Sequence, residues 1–590
     1  MSRFLPVSKE DLQARGWNEL DIILVTGDAY VDHPSYGAAL IGRVLEAAGF
    51  RVGIIAQPDC QGVEDFKALG KPKLFFAITA GNLDSMVANY TANKKVRNID
   101  DYSPGGRSHL RPDRASIAYA NKLQQAYKGI PIVLGGMEAS MRRLAHYDYW
   151  SDKVRRSLLL DAKCDILVYG MGEKQMLEIA NRLKDGEDIR SLDNVRGTVV
   201  VRRGLDTVKD PVSIPSFEDV SKDKNEFNRA FKNIYAEADP IRGRAVVQKH
   251  ADRFVIQYPP ALPMTTEELD KIYSLPFARD WHVSYNKAGG IPGFDMVRNS
   301  VTSHRGCAGG CSFCSLYLHQ GRIVQSRSIE SILEEIKTIS QDKKFKGTIT
   351  DIGGPTANMY MAKCDVWKER GSCREKKCLV PEVCRNFKTG YGHSLSLWRK
   401  LKEMPKVKHV FVGSGVRYDL LTDSYSDEYL NELCAHHVSG QLKAAPEHCS
   451  NHVLDLMSKP RFNVYEKFVD RFERVNRKLN KKQFLVNYFI VGHPGARLED
   501  ALQLAIYLAE RHMNPEQVQD FIPLPMTLSG AMYYTEQDPF TGKKLYVAKY
   551  PHERMMQRAL LQYKNPQNRQ YILKALKILG KEDLKKVLLG

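Results

Sequence analysis

The chain predicts an α/β protein: two α/β units in series, closed by a helical tail. Three observations carry that expectation. Short apolar runs alternate with helical stretches through residues 1–200. The alternation resumes after residue 293 and yields about six further strands. Between the two, prolines at 211, 215, 240, 259, 260, 263 and 276 interrupt any regular pattern. The expected organisation is a doubly wound N-terminal domain over 1–200, a connecting region over 201–292, a partial (β/α)6 barrel over 293–530 with a cysteine-rich insertion at 360–390, and a helical extension over 531–590. A length of 590 residues suits about three domains.

In the first unit, Asp21-Ile-Ile-Leu-Val-Thr is apolar enough for a strand covered on both faces, and Gly27-Asp28 ends it. Helical spacing then runs from about Tyr36 to Ala48 and stops at Gly49. Arg51-Val-Gly-Ile-Ile-Ala, Leu74-Phe-Phe-Ala-Ile, Pro131-Ile-Val-Leu and Cys164-Asp-Ile-Leu-Val-Tyr supply further strands. Such alternation implies a parallel sheet, with ligands beyond the strand C-termini. That directs attention to 26–37, 135–140 and 170–173.

In the second unit, Ile329–Ile339 reads as an amphipathic helix. Strands are expected just before Cys307, at Gly347-Thr-Ile-Thr-Asp-Ile-Gly-Gly, at His409-Val-Phe-Val-Gly-Ser-Gly, at Gln441-Leu-Lys-Ala-Ala-Pro, from Gln483 to Gly492 and at Val518-Gln-Asp-Phe-Ile-Pro. Reactive residues of a barrel lie at such C-terminal strand ends. Helices at 553–563 and 567–579 end the chain.

Cys307, Cys311 and Cys314 stand in Arg-Gly-Cys-Ala-Gly-Gly-Cys-Ser-Phe-Cys. A short glycine-rich loop can turn back and aim several thiolates at one metal centre. Three thiolates leave one iron of a 4Fe-4S cluster open to a ligand that is not cysteine. The same residues could also form half of a zinc site, a disulfide with one thiol left over, or an electron-transfer cluster with a distant fourth cysteine. Zinc ligands usually come as two separated pairs. Eleven cysteines with no export signal at the N-terminus suit a reducing cytoplasm.

The formal charge of +18, from 87 Lys+Arg against 69 Asp+Glu, favours polyanions and makes RNA a possible partner. A basic, well-solvated surface explains it equally. No apolar run approaches the ~18 residues of a membrane span, so no membrane partner is expected.

Other strand ends offer polar groups. Gly353 and Gly354 allow close backbone approach to a ligand, or simply make a turn. Ser414 and Arg417 could hold a ribose or a carboxylate, although Arg417 could instead pair with Asp419. Glu447 could accept ribose hydroxyl protons, and His448 and His493 could move protons or simply pack.

The C-x3-C-x2-C spacing, with Phe313 before the last cysteine, resembles the cluster loop of radical S-adenosylmethionine (radical SAM) enzymes. Longer segments narrow the resemblance: Val25-Thr-Gly-Asp-Ala-Tyr-Val-Asp-His-Pro-Ser-Tyr-Gly, Gly353-Gly-Pro-Thr-Ala-Asn-Met-Tyr, Ser414-Gly-Val-Arg-Tyr-Asp, Lys443-Ala-Ala-Pro-Glu-His and Phe521-Ile-Pro-Leu-Pro-Met-Thr strongly resemble the YgiQ-type radical SAM proteins over nearly the whole chain. The resemblance implies a 4Fe-4S cluster on Cys307, Cys311 and Cys314. It also implies S-adenosylmethionine at the open iron, reductive cleavage to a 5′-deoxyadenosyl radical, and hydrogen abstraction from a substrate it does not name. Gly353, Gly354, Ser414, Arg417 and Glu447 become candidate contacts to that cofactor, and an electron donor such as flavodoxin or ferredoxin becomes a partner. One departure is clear: the superfamily usually reads Gly-Gly-Glu where this chain has Gly353-Gly354-Pro355. The alternative is a non-catalytic iron-sulfur protein, either an electron carrier or an RNA-binding module.

The N-terminal domain resembles, more distantly, the cobalamin-binding domains that precede many radical SAM barrels. Their Asp-x-His-x-x-Gly loop compares with Asp32-His33-Pro-Ser-Tyr-Gly37, but Val31 stands two residues before His33, which counts against a cobalt ligand there without excluding cobalamin. Cys364, Cys373, Cys378 and Cys384 form a second group that suits zinc, a second iron-sulfur cluster, or an inserted loop of free thiols. Cys60, Cys164, Cys434 and Cys449 read as packing residues.

Overall fold

The computed structural model describes residues 3–590. The chain divides into two compact units, Met1–Arg298 with Leu318–Gly321, and Asn299–Tyr317 with Arg322–Gly590.

The first unit is organised on one nine-stranded sheet. In chain order its strands are β1 (Ile22–Thr26), β2 (Val52–Ala56), β3 (Phe75–Thr79), β4 (Ile132–Gly135), β5 (Ile166–Val168), β6 (Thr198–Arg202), β7 (Val212–Ile214), β8 (Val246–His250) and β9 (Arg253–Gln257). Across the sheet the order is β2-β1-β3-β4-β5-β6-β9-β8-β7. The first five are parallel. β1 is buried along its whole length, as its unbroken apolar run requires when both faces are covered. Helix α1 (Gly37–Ala47) buries Leu40, Val44 and Leu45, and Gly49 beyond it takes the left-handed backbone that ends a helix. The chain leaves β1 to one side for β2 and returns to the other for β3, so the topological switch point lies between β1 and β3.

The residues expected to form a connecting region belong to this sheet. β6 and β9 pair antiparallel, β8 and β9 form a hairpin, and β7 pairs parallel with β8. The prolines punctuate strands instead of forbidding them: Pro211 and Pro215 flank β7, and Pro259 and Pro260 follow β9. The unit therefore extends to Arg298, not to residue 200, and is mixed beyond β5.

The second unit opens with β10 (Ser300–Thr302), β11 (Thr348–Ile349), β12 (Asp351–Gly353) and β13 (His409–Val410), followed by β14 (Gln441–Glu447), β15 (Phe484–Val491) and β16 (Gln517–Asp520). β10 pairs parallel with β12, and β11 with β13. A parallel bridge between Val416 and Ala444 carries the pairing on to β14, which continues parallel through β15 to β16. β11 and β12 are one strand interrupted at Thr350, so six parallel strands stand in chain order. Helices α2 (Ile329–Ser340) and α3 (Tyr391–Lys402) cover them. Ile332, Ile336 and Ile339 recur at helical spacing and pack with Leu397 and Leu401 over Val301, Ile349, Ile352 and Val410. Deleting one such side chain would cost about 2–5 kcal/mol.

Helices α4 (Asn451–Met457), α5 (Pro551–Leu561) and α6 (Arg569–Leu579) complete the description needed here. The C-terminal extension holds the loop after β15: Gln557 accepts from the Gly492 N–H at 2.9 Å, and the Gly495 N–H donates to the Tyr546 carbonyl at 2.7 Å. Among the described residues no helix is long and apolar enough to cross a membrane.

Candidate cluster site

The cysteine loop follows β10 and is anchored through Ser312, between Cys311 and Phe313. The Ser312 N–H donates to the Met457 carbonyl and its own carbonyl accepts from the Ser529 N–H, each at 2.9 Å. Ser529 Oγ lies 2.7 Å from both Ser312 Oγ and His493 Nε2. His493 Nδ1 faces the Pro494 carbonyl at 2.8 Å and so carries the ring proton. Burial pushes His493 down to about 3, which keeps it neutral. It is a strut under the cluster loop, and no proton shuttle is implied.

Each of the three sulfurs has N–H donors. Gly309 N–H points at Cys307 Sγ at 3.4 Å, and Arg417 Nη1 at Cys311 Sγ at 3.5 Å. The backbone N–H groups of Leu316 and Tyr317 act on Cys314. Burial, and then the neighbouring Cys311, push the Cys307 thiol up and Cys314 up to about 12. Left alone, such thiols hold their protons; a metal that displaces the protons gains sulfurs already supplied with donors. Among the described residues no three His, Cys, Asp or Glu side chains form a ready shell for a single ion. A 4Fe-4S cluster asks for something else, one thiolate on each of three separate irons, and the residues fit that group.

Three cations surround the loop. Arg417 is held by Asp419 through two bonds, Nε to Oδ1 at 2.9 Å and Nη2 to Oδ2 at 2.7 Å. Burial works against its charge, but Asp419 and Cys311 outweigh that and keep it protonated. The fork expected to take a carboxylate ligand is therefore occupied by Asp419, and the remaining Nη1 serves Cys311. A Cβ on Gly309 would stand 3.2 Å from Arg417 Nη1 and 3.3 Å from Cys307 Sγ, so glycine lets the loop approach the guanidinium. Lys459 follows α4, lies 3.7 Å from Glu447 Oε1 and acts electrostatically on Cys307. Lys377 hydrogen-bonds to Ser458 Oγ and lies within the electrostatic reach of Cys311. Burial and Arg322 lower Lys377 to about 8.

The other predicted strand-end residues divide. A Cβ on Gly353 would meet Ser414 Oγ at 2.0 Å, and one on Gly354 would meet the His304 carbonyl at 2.6 Å. These glycines make room for the chain's own neighbours. Ser414 Oγ donates to Asp351 Oδ1 at 3.2 Å, and the same oxygen accepts from the Gly413 and Ser414 N–H groups at 2.7 and 3.1 Å. Its hydroxyl is thus bound inside the protein. Glu447 ends β14 at a register shift, with φ of +67°. A left-handed backbone is strained for a residue with a Cβ, and such strain gathers at functional sites. Burial lifts the Glu447 carboxyl to about 6 although Lys459 opposes the rise. His448 Nδ1 accepts from the Cys449 and Ser450 N–H groups, both at 3.0 Å, which is a structural role.

The second cysteine group comes together within the same unit. Cys378 senses Cys364, Cys373 and Cys384 electrostatically, and burial followed by those three raises it to about 11. Residues that sequence reasoning missed include Lys459, Asn358 and Ser312. Asn358 donates to the Arg417 carbonyl at 2.9 Å and accepts from its N–H at 2.8 Å. A lysine carries little signal in so basic a chain; Asn358 stood inside a recognised segment without an assigned task.

In the first unit the switch point is filled by the chain itself. Arg111 Nη2 reaches Asp28 Oδ1 at 2.7 Å and Asp100 Oδ2 at 3.2 Å, and Asp28 Oδ2 accepts from the Asn82 N–H at 2.7 Å. His33 Nδ1 accepts from the Ser35 N–H at 3.1 Å, so the neutral ring carries its proton on Nε2. A metal-bound His donates from its other nitrogen instead. Asp32 is paired with Arg43. These residues do not fit a cobalamin bound through His33.

Comparisons with known proteins agree along the chain. Residues 4–300 match the family model described as radical SAM N-terminal, residues 301–508 that of the radical SAM superfamily, and residues 516–587 a domain of unknown function, DUF3362. A UPF0313 protein of Methanocella arvoryzae is 52% identical over 578 residues, covering 98% of this chain and 96% of the relative. One of Clostridium botulinum is 52% identical over 581 residues, covering 98% and 91%. Among solved structures, the radical SAM methyltransferase TsrM of Kitasatospora setae aligns at 15% identity over 86% of this chain and 75% of its own, with a TM-score of 0.49. The cobalamin-dependent radical SAM enzyme OxsB aligns at 10% identity over 98% and 77%, also with a TM-score of 0.49. At those scores neither decides anything about this chain. The two curated relatives and the family models do: the chain belongs to the UPF0313, YgiQ-type family of radical SAM proteins.

Proposed function

We propose that this protein is a radical SAM enzyme in which Cys307, Cys311 and Cys314 hold a 4Fe-4S cluster and S-adenosylmethionine takes the fourth iron. The observation that carries the reading is a loop of three cysteine sulfurs, each met by N–H donors and with no fourth cysteine among them. When bound, the cluster supplies one electron to the sulfonium, giving methionine and a 5′-deoxyadenosyl radical that takes hydrogen from a substrate.

The chain's own residues have definite tasks. Asp419 fixes Arg417 so that Nη1 donates to the Cys311 sulfur, and a donor to sulfur stabilises the reduced, more anionic state. Glu447, ionised above about pH 6, offers oxygens to cofactor hydroxyls from a strained strand end. Gly353 and Gly354 leave only backbone to face the cofactor, and Ser414 keeps its hydroxyl on Asp351. The six parallel strands read as a partial (β/α)6 barrel, and flavodoxin or ferredoxin would be the reductant.

Anaerobic reconstitution tests the proposal. Wild type with a reductant is expected to convert S-adenosylmethionine to methionine and 5′-deoxyadenosine, and Cys311→Ala to give only background. Intact cofactor, with no effect on the reduced cluster's EPR signal, would leave a non-catalytic iron-sulfur protein as the better reading.

A further inference from the structure

We propose that the strand face of the second unit turned away from the helices is an open site for single-stranded nucleic acid, with a lysine-rich rim at the N-terminal strand ends holding the phosphates. The site gives the enzyme proposed above a substrate class, and only that part rests on the reading of the cysteine loop.

Strand alternation puts the two faces in different surroundings. Val301, Ile349, Ile352 and Val410 pack under α2 and α3. His409 and Phe411, on either side of Val410, share the opposite face, and their rings stack there with centroids 5.7 Å and planes 3° apart. On β14, Leu442 and Ala444 are buried while Gln441 and Lys443 are exposed. The parallel register sets Gln441 beside Phe484 and Lys443 beside Val486. Asn487, on the other face of β15, accepts from the Tyr465 hydroxyl of the helix Phe462–Lys478 at 2.8 Å, so Phe484 is turned away from that helix. Phe484 is 67% exposed. The inner face of a closed barrel is packed with branched apolar side chains. This face instead leaves an aromatic ring, an imidazole, an amide and an ammonium in water. Such groups stack on a base, bond to its edge and meet a phosphate.

The segments 341–347, 403–408 and 479–483 lead into β11, β13 and β15, at the end of the strands opposite the cysteine loop. They hold seven lysines, all exposed, against two acidic residues. Residues 438–440 and 511–516, before β14 and β16, add no net charge. Each lysine-rich segment follows a helix, but a helix C-terminus favours cations only within its last turn. Lys406, Lys408, Lys481 and Lys482 lie beyond it. These four make no ion pair among the described residues, whereas Arg399, Lys400 and Lys402 of α3 each meet a carboxylate. Unpaired lysines gathered beside an exposed aromatic face are the footprint of a polyanion with flat bases. A folded acidic protein would cover the rim and leave the inner face empty; a single strand meets both.

Fluorescence anisotropy of the full-length protein with a labelled single-stranded RNA of about 15 nucleotides tests the proposal. Binding is expected to weaken as salt rises and to be tighter than to the same RNA annealed to its complement. Lys406→Glu/Lys408→Glu/Lys481→Glu/Lys482→Glu should lower the slope of log K against log salt by about 3. The same reversal at Lys574, Lys577, Lys585 and Lys586, exposed in the C-terminal extension, should leave the slope unchanged. Phe484→Ala should weaken the single strand about 10-fold without changing the slope. No binding at low salt, equal losses from the two reversals, or wild-type binding by Phe484→Ala overturns the proposal. In the last case the rim serves a charged surface, of duplex or acidic protein, without the inner face. Binding needs neither cluster nor S-adenosylmethionine, so cofactor cleavage without RNA binding, or the reverse, tells which reading has failed.

Discussion

Two sets of strand ends in this protein follow the same α/β rule and reach opposite outcomes. At the switch point of the N-terminal sheet, Arg111 Nη2 pairs with both Asp28 and Asp100 in a buried network. At the strand ends of the second unit, Asp419 and Glu447 are paired with Arg417 and Lys459, but Arg417 also reaches the Cys311 sulfur of the cysteine loop. The first spends one cation on two carboxylates; in the second, Arg417 is paired with Asp419 and its Nη1 still points at a sulfur that becomes anionic when it binds metal. A crevice beyond a parallel sheet is therefore not by itself a ligand site. What separates the two is whether the paired cation also meets a sulfur that can bind metal.

The largest effect is expected in the buried N-terminal network, where one cation serves two carboxylates. Arg111→Ala leaves Asp28 and Asp100 buried without a counter-charge and should cost about 3–5 kcal/mol in urea unfolding, while the folded protein still takes up iron. A loss near zero would mean that water already reaches the crevice. A smaller effect is expected from Arg417→Lys. Lysine keeps the charge but cannot hold Asp419 with two bonds and reach Cys311 as well. Production of 5′-deoxyadenosine should fall about 10–100-fold at unchanged iron content.

The smallest effect is confined to pH. Burial raises Glu447 from its ordinary 4.5 to about 6, so the folded state favours the protonated carboxyl. Its contribution to stability is complete below pH 4.5 and is lost as pH rises through 6. The stability difference between wild type and Glu447→Gln should therefore shift against wild type by on the order of 1–2 kcal/mol between pH 4.5 and 7.5. A flat difference would place Glu447 in contact with water.

Much of this was legible in local sequence. The apolar runs at Ile22–Thr26, Val52–Ala56 and Phe484–Val491 form strands, and the periodicity at Ile329–Ser340 forms a helix, because each segment carries its own burial pattern. The hairpin of β8 and β9 was hidden by prolines that mark strand ends, and strand pairing is a non-local property. At the site, the three cysteines were recognisable since one loop holds them all. Arg417 was recognisable as important, but its two possible partners could not be told apart along the chain.

Spacing alone determined which sulfurs share a loop, where the strands begin and which family the chain resembles; these properties are set by residues close in sequence. Only the folded chain decided that Lys377 meets Ser458, that Gly353 and Gly354 yield space to Ser414 and His304, and that Arg111 pairs with Asp28 and Asp100 beyond the first sheet. Each of these joins segments distant in sequence. Their outcome depends on which donor meets which acceptor once water has been removed, and no local pattern encodes that.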